Sequence, residues 1–259
     1  RIMNKNRKIK RGLTTSLAVG MSVMMGAVPV FAAGTSSDAD AVYKEETVYV
    51  NADATGTIDE VTVSNWLKNS GSVSGSLTDA STLKGIKNVN GDETFKASVD
   101  TLTWNTDGED IYYQGTTDQN LPVSVKLTYY LDGKEIKPAD LKGKSGHLKI
   151  QVDYANKEKK TVSVDGKQEE VYTPFVMMTG MILPNETFSN VTIDNGKVIS
   201  DGSKNIVVGF GMPGMKESLN LDESKTEDLT IPESLCVEAD VTDFTMSSTF
   251  TVALTDLLD

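Results

Sequence analysis

The chain is poor in the residues that usually declare chemistry. It has one cysteine, Cys236, and one histidine, His147. A lone cysteine excludes an internal disulfide, so an extracellular form must live on core packing. One His and one Cys far apart in sequence leave no ligand set for zinc, and no metal or cofactor is expected. His147 lies two residues after Ser145, but Gly143-Lys144-Ser145-Gly146 is not the sharp turn that presents a nucleophilic serine. A single histidine at the start of a strand reads as solvated, so no catalytic residue is assigned and the chain is read as a non-enzyme. Long helical stripes are also missing before residue 245, which excludes a helical bundle.

Cations are scarce too: 25 Lys and Arg face 37 Asp and Glu. Several of the cations crowd at the front. Lys5, Arg7, Lys8, Lys10 and Arg11 precede an uncharged run from Leu13 to Phe31. The run closes on Val30-Phe31-Ala32. A basic head, an apolar middle and small residues at the exit are the layout of a secretory signal peptide. Residues 1–32 are therefore read as a signal helix, with the cut between Ala32 and Ala33. The apolar run is near the length of a bilayer span, so an uncleaved anchor is the other reading. Gly20, Gly26 and Pro29 weaken it as a permanent helix. The lone cysteine is far from this run, which argues against a lipid anchor. Losing the six cations of that segment, Arg1 included, takes the formal net charge from −12 to −18. Such a surface repels phosphate backbones and anionic lipid, so nucleic acid is excluded as a partner. Contact with a membrane is expected only through the signal segment or through an anchor beyond this sequence.

Residues 33–43 are small and polar at first and read as a flexible spacer. From 44 onward apolar residues recur every second position between turn residues, the pattern of half-buried strands. Thr47–Val50 and Ile58–Val63 predict a hairpin. Thr101–Trp104 and Asp110–Tyr113, joined through Gly108, predict another. Residues 69–92 read as a loop with one short helix. Leu121–Leu131 predicts a long strand turning at Asp132-Gly133, and Leu148, Ile150, Val152 and Tyr154 alternate in the next. Further turns are expected at Asp165-Gly166, Asn195-Gly196 and Asp201-Gly202. Thr173–Leu183, the most apolar stretch after the leader, reads as a buried strand or a Met-rich partner surface. The expected class is all-β and mainly antiparallel, sandwich-like. An N-terminal hairpin module spans 44–119 and a sandwich-like module 120–247. Phe250, Leu254, Leu257 and Leu258 are spaced as the start of a helical face, so 248–259 is read as the beginning of a stalk helix that continues past Asp259.

Several motifs imitate sites and fail on chemistry. Gly209-Phe210-Gly211-Met212-Pro213-Gly214 matches a dinucleotide fingerprint in letters. Pro213, however, lacks an amide hydrogen where the pyrophosphate needs one, and no βαβ pattern surrounds it. Asn51–Ile58 resembles half a calcium loop, but Thr62 stands where a bidentate Glu belongs. Leu183-Pro184-Asn185-Glu186-Thr187 lacks the order of a sortase signal. Alternation in Leu235–Val241 places Cys236 opposite the apolar face, as a tolerated structural thiol. Trp66, Trp104, Tyr112 and Tyr113 form a candidate aromatic platform for sugar rings, although alternation also turns Trp104 toward the core.

Six phrases occur together: KEETVYVNADATGTIDEVTVSNWLKN (44–69), DIYYQG (110–115), LPVSVKLTYYLDGKEI (121–136), LKGKSGHLKIQVDY (141–154), YTPFVMMTGMILPNETFSNVTIDNGKVISDG (172–202) and IVVGFGMPG (206–214). Together they resemble the N-terminal ectodomain of Firmicutes surface proteins with Leu-x-x-Gly heptad repeats, distant relatives of the phage infection protein family. The resemblance implies an exported β-rich region ahead of a heptad helix and membrane anchors, with an envelope or extracellular protein as partner. It brings no catalytic motif. The expected role is binding or display at the cell surface. A cell-wall glycan-binding module is the alternative, and a secreted hydrolase is the third reading.

Overall fold

The computed structural model describes residues 19–30, 42–69, 73–164, 166–219, 231–245 and 249–254. The Ala32–Ala33 cut, most of the spacer, and Leu257 and Leu258 lie outside them. Among the described residues the strands are, in chain order, β1 Val19–Val30, β2 Val42–Ala52, β3 Ile58–Lys68, β4 Gly75–Ala80, β5 Lys84–Asn90, β6 Thr94–Ala97 and β7 Thr101–Thr106. Next come β8 Ile111–Thr116, β9 Val123–Leu131, β10 Lys134–Ile136, the one-turn helix α1 Pro138–Leu141, β11 Gly146–Asn156, β12 Lys159–Val164 and β13 Lys167–Tyr172. The chain continues through β14 Val176–Pro184, β15 Phe188–Ile193, β16 Gly196–Ser200, β17 Lys204–Gly211, α2 Met215–Ser218, β18 Ser234–Val241 and β19 Thr249–Leu254. The fold is all-β and mainly antiparallel, as its period-two sequence predicts.

A nine-stranded sheet runs β16-β17-β14-β19-β1-β2-β3-β8-β5, and a five-stranded sheet runs β10-β9-β11-β18-β15. A three-stranded sheet, β4-β7-β6, and the hairpin β12-β13 complete the set. Alternation sets which side chains go inward. Leu127, Val152 and Leu235 meet across β9, β11 and β18, as do Tyr129, Ile150 and Val237. They bury against Val48, Val50, Val61, Val63, Met177, Met181 and Val207 of the large sheet. Each such aliphatic side chain contributes about 1.5–3 kcal/mol of transfer free energy. A second cluster, Val42, Leu67, Leu77, Leu102, Trp104, Ile111 and Tyr113, fills the space between the large and three-stranded sheets. The first cluster thus draws on residues from both sides of the 119/120 boundary.

The turn signals hold among the described residues; Asp165 lies outside them. Asp132 and Gly133 both have positive φ, 50° and 76°, between β9 and β10. Gly56, at the β2–β3 turn, has φ +89° and approaches the Val125 carbonyl so closely that a Cβ would sit 2.2 Å from its oxygen. Gly180 is flat against the Phe250 ring, with no room for a side chain.

Four local expectations are corrected. The leader run is not helical where it is described: Val19–Val30 pairs antiparallel with β2 and parallel with β19. Its Gly and Pro residues disfavour a helix, and its β-branched valines suit the sheet that supplies partners. Residues 69–92 carry β4 and β5 in place of a helix, because Leu77 and Ala80 find strand partners in β7 and Lys84–Asn90 pairs with β8. Strands β7 and β8 reverse at Gly108 but do not pair. β7 joins β4 and β6, while β8 joins β3 and β5. Their apolar faces meet across the core, with Trp104 and Tyr113 ring centroids 5.4 Å apart. Finally, Thr249–Leu254 is a strand, not the start of a helix. Thr249, Thr251 and Ala253 are buried in alternation, and threonine and valine favour the extended backbone.

Residues 176–184 form strand β14 with one face in the core, as the sequence predicts. Met177, Met181 and Leu183 enter the core, while Met178 and Ile182 face outward beside Phe210 and Phe250.

Candidate functional site: an acidic cleft beside an aromatic pair

The four aromatic residues expected to form a platform do not share a surface. Trp104 and Tyr113 are both 0% exposed and belong to the second core cluster. They face inward because Leu102, Trp104 and Thr106 alternate on β7, and Ile111, Tyr113 and Gly115 on β8. Trp66 and Tyr112 point the other way. They are cross-strand partners on β3 and β8, with rings stacked at 5.4 Å and 19°. Trp66 is also spanned by the Lys68 ammonium, 4.0 Å from its ring centroid, and Lys68 is tied to Glu45 at 2.6 Å. The platform therefore narrows to Tyr112, with Trp66 as its backing.

Tyr112 lines a cleft of about 700 Å³ bounded by Asn90, Gly91, Glu93, Asp107, Gly108, Glu109 and Asp110. The β7–β8 turn supplies most of its acids. That turn is held by the Gly108 N–H and the Thr106 hydroxyl, which donates to the Glu109 carbonyl. Asp110 fixes the wall: it accepts from the Trp66 indole N–H at 2.9 Å and from the Asn69 N–H at 2.7 Å. Asn88 donates to Glu93 at 3.0 Å across the opposite side. Sequence reasoning reached Tyr112 and Trp66 through their aromatic character. It missed Glu93, Asp107, Glu109 and Asp110, since nothing distinguishes those acids from the others until the turn gathers them. Among the described residues the lining has no Ser, Cys, His, Lys or Arg. It offers carboxylate and amide acceptors beside one aromatic face, which suits hydroxyl-rich or cationic ligands.

The remaining sequence candidates are structural. His147 sits at the start of β11 and bonds Asp240 through Nδ1 at 3.0 Å, with Glu238 3.8 Å from Nε2. The Asp240 bond, against slight desolvation, raises its pKa. Cys236 is a free, half-buried thiol on β18, and burial pushes its pKa up, so it is a poor nucleophile. In the loop that imitates a calcium site, the Asp53 carboxylate is spent on the turn. Partial desolvation opposes its charge, but the Thr55 hydroxyl and the Thr55 and Thr57 N–H groups outweigh it and hold the pKa low. Gly209 and Gly211 lie on β17 against Leu235 and Tyr154, and Gly214 opens a one-turn helix, which is no phosphate cradle. Among the described residues no group of three or more His, Cys, Asp and Glu side chains is gathered to hold a metal, and no helix is long and apolar enough to cross a membrane.

No protein-family model and no curated protein matches this chain. Among solved structures, it is similar to the Mu homology domain of Fcho1 from Danio rerio with bound Eps15 peptide. The TM-score is 0.37 and the identity 7%, over 92% of this chain and 96% of that one. At that score the likeness says nothing about function.

Proposed function

We propose that the chain is an exported, non-enzymatic cell-surface ectodomain, of the heptad-repeat kind its sequence resembles, and that it acts by binding or display. The cleft at Tyr112 carries this reading: its acceptors and aromatic wall are suited to holding a ligand, and among the described residues no nucleophile–base pair lines it. The leader layout supports export. Fractionation of cells expressing the intact gene product is expected to place it outside the cytoplasm; a purely cytosolic pool would refute the proposal. The aromatic wall favours one second reading, a cell-wall glycan ligand. Sugar hydroxyls donate to carboxylates while a pyranose face packs on an aromatic ring. Retention on purified peptidoglycan that falls with Tyr112→Ala supports it. No retention, or retention indifferent to that change, removes it.

A further inference from the structure

The two hydrophobic clusters are divided by a polar seam on the inward face of β2. Val42 belongs to one cluster and Val48 and Val50 to the other, with Lys44 and Glu46 between them. From the three-stranded sheet comes Asp79, its side chain 0% exposed. It accepts twice from Lys44, at 3.1 Å each, and once from the Tyr113 hydroxyl. Lys44 also donates to the Ala80 carbonyl at 2.9 Å. An ammonium has three donor hydrogens, and these three contacts use them all.

Glu46 is left without a donor. It is half-buried, and among the described residues no N–H or O–H bonds its carboxylate. Burial pushes its pKa up, and the Lys44 charge, shared with Asp79, offsets that only in part. The seam thus sets two carboxylates against one ammonium. Glu46 lines a cavity of about 210 Å³. Val48 and Val63 form its floor on the large sheet, and Leu83 and Leu121 wall it from the loops before β5 and β9. Gln119 and Asn120 bring amide groups. The Gln119 Nε2 donates to the Thr82 hydroxyl at 3.2 Å, which leaves its amide oxygen for a ligand. Among the described residues of this lining only Lys44 and Glu46 are charged. A carboxylate withdrawn from water without a donor costs free energy, which a cation in the cavity would recover.

We propose that this seam cavity binds a primary ammonium group through Glu46, with the carbon stem of the ligand lying on the apolar walls. One carboxylate and the amide oxygens of Gln119 and Asn120 match the three donors of an ammonium. A hard metal ion takes about six to eight oxygens and gains nothing from apolar walls. An anion would face Glu46, and the donors of Lys44 are already taken. The volume admits a stem as long as a lysine side chain. The ammonium belongs to a free amine or to a lysine of a partner protein, and the cavity reads the same group in both. None of these residues lines the Tyr112 cleft, so the two sites are independent.

The test is NMR of the ¹³C,¹⁵N-labelled full chain at neutral pH with n-butylammonium, Nα-acetyl-L-lysine N-methylamide and, as an uncharged control, n-butanol. Saturable shifts of the Glu46 carboxyl carbon and of the Gln119 and Asn120 side-chain amides are expected at millimolar ammonium, with butanol weaker by about tenfold or more. Response to butylammonium alone assigns a free amine as the source. Response to the lysine derivative assigns a lysine presented by a partner. Glu46→Gln keeps the volume, removes the charge and should weaken binding by about tenfold or more. Gln119→Lys, a change at an exposed position that leaves Glu46 in place, brings a competing cation and should weaken binding too. No shift at Glu46, equal response to butanol, or binding unchanged in either folded variant would overturn the proposal. Shifts confined to Tyr112 and its neighbouring acids would also overturn it, while leaving the cleft reading intact.

Discussion

Replacing Lys44 by methionine should cost more than any surface change in this protein. Asp79 is fully buried, and two of its three side-chain hydrogen bonds come from Lys44. Lys44→Met keeps the apolar stem and removes the charge, stranding a carboxylate between two hydrophobic clusters. Removing one partner of a buried pair costs about 3–5 kcal/mol. Lys44 is itself 14% exposed, so water relieves part of the strain and the lower end, about 3 kcal/mol, applies. With a urea slope near 3 kcal/mol/M for a chain of this size, the midpoint falls by about 1 M. Asp79→Leu alone should cost as much, since it strands Lys44 and the Tyr113 hydroxyl. The double variant Lys44→Met/Asp79→Leu removes both charges and leaves the Tyr113 hydroxyl without its Asp79 bond, so it should cost about 1–3 kcal/mol, no more than either single change. Urea unfolding followed by circular dichroism, read as a double-mutant cycle, measures the coupling. Single costs below about 1 kcal/mol, or a double cost equal to the sum of the singles, would refute the buried-pair reasoning.

His147 is expected to titrate above its ordinary value, because Asp240 bonds its ring and the charges of Asp240, Glu238 and Asp132 favour the imidazolium. The favourable interaction is complete below the unfolded histidine pKa and fades as pH rises through the folded one. NMR titration of the imidazole should show this, and Asp240→Asn should bring the midpoint down. Asp240 itself is held low, first by Asn190 and then by His147, so its own contribution is present above the usual carboxylate range and is lost in acid. Gly56→Ala should destabilise by about 1–3 kcal/mol, through the positive φ and the Val125 carbonyl in the way of the new methyl. Thermal denaturation checks it, and a neutral result would mean that the β2–β3 turn relaxes away from β9.

What was legible in the sequence was local. Alternation in β9, β11 and β18 named the inward residues, and the Asp-Gly and Asn-Gly pairs named the turns. Pairing partners were harder. Gly108 announces a reversal, but a reversal does not say whether the flanking strands meet edge to edge or face to face. At the end of the chain, a spacing of four between Phe250 and Leu254 satisfies both the helical period and the strand period. The β-branched residues between them tip the choice, and that signal was in the sequence. The seam was invisible, since Lys44 and Asp79 are brought together by sheet packing. The cleft was half legible: Tyr112 stood out by type, while its acids became a set only through the turn.

The earliest and latest described strands lie side by side, with β1 wedged between β2 and β19. A peptidase cutting at Ala32–Ala33 would thus do more than shorten the protein: it would release the middle slat of its largest sheet. Two interior strands would become rims, each carrying a row of bare amides and carbonyls. Their directions are opposed, so they have the polarity to close on each other; otherwise the gap invites a strand lent by a neighbour. The order of trimming and folding would then decide which assembly emerges.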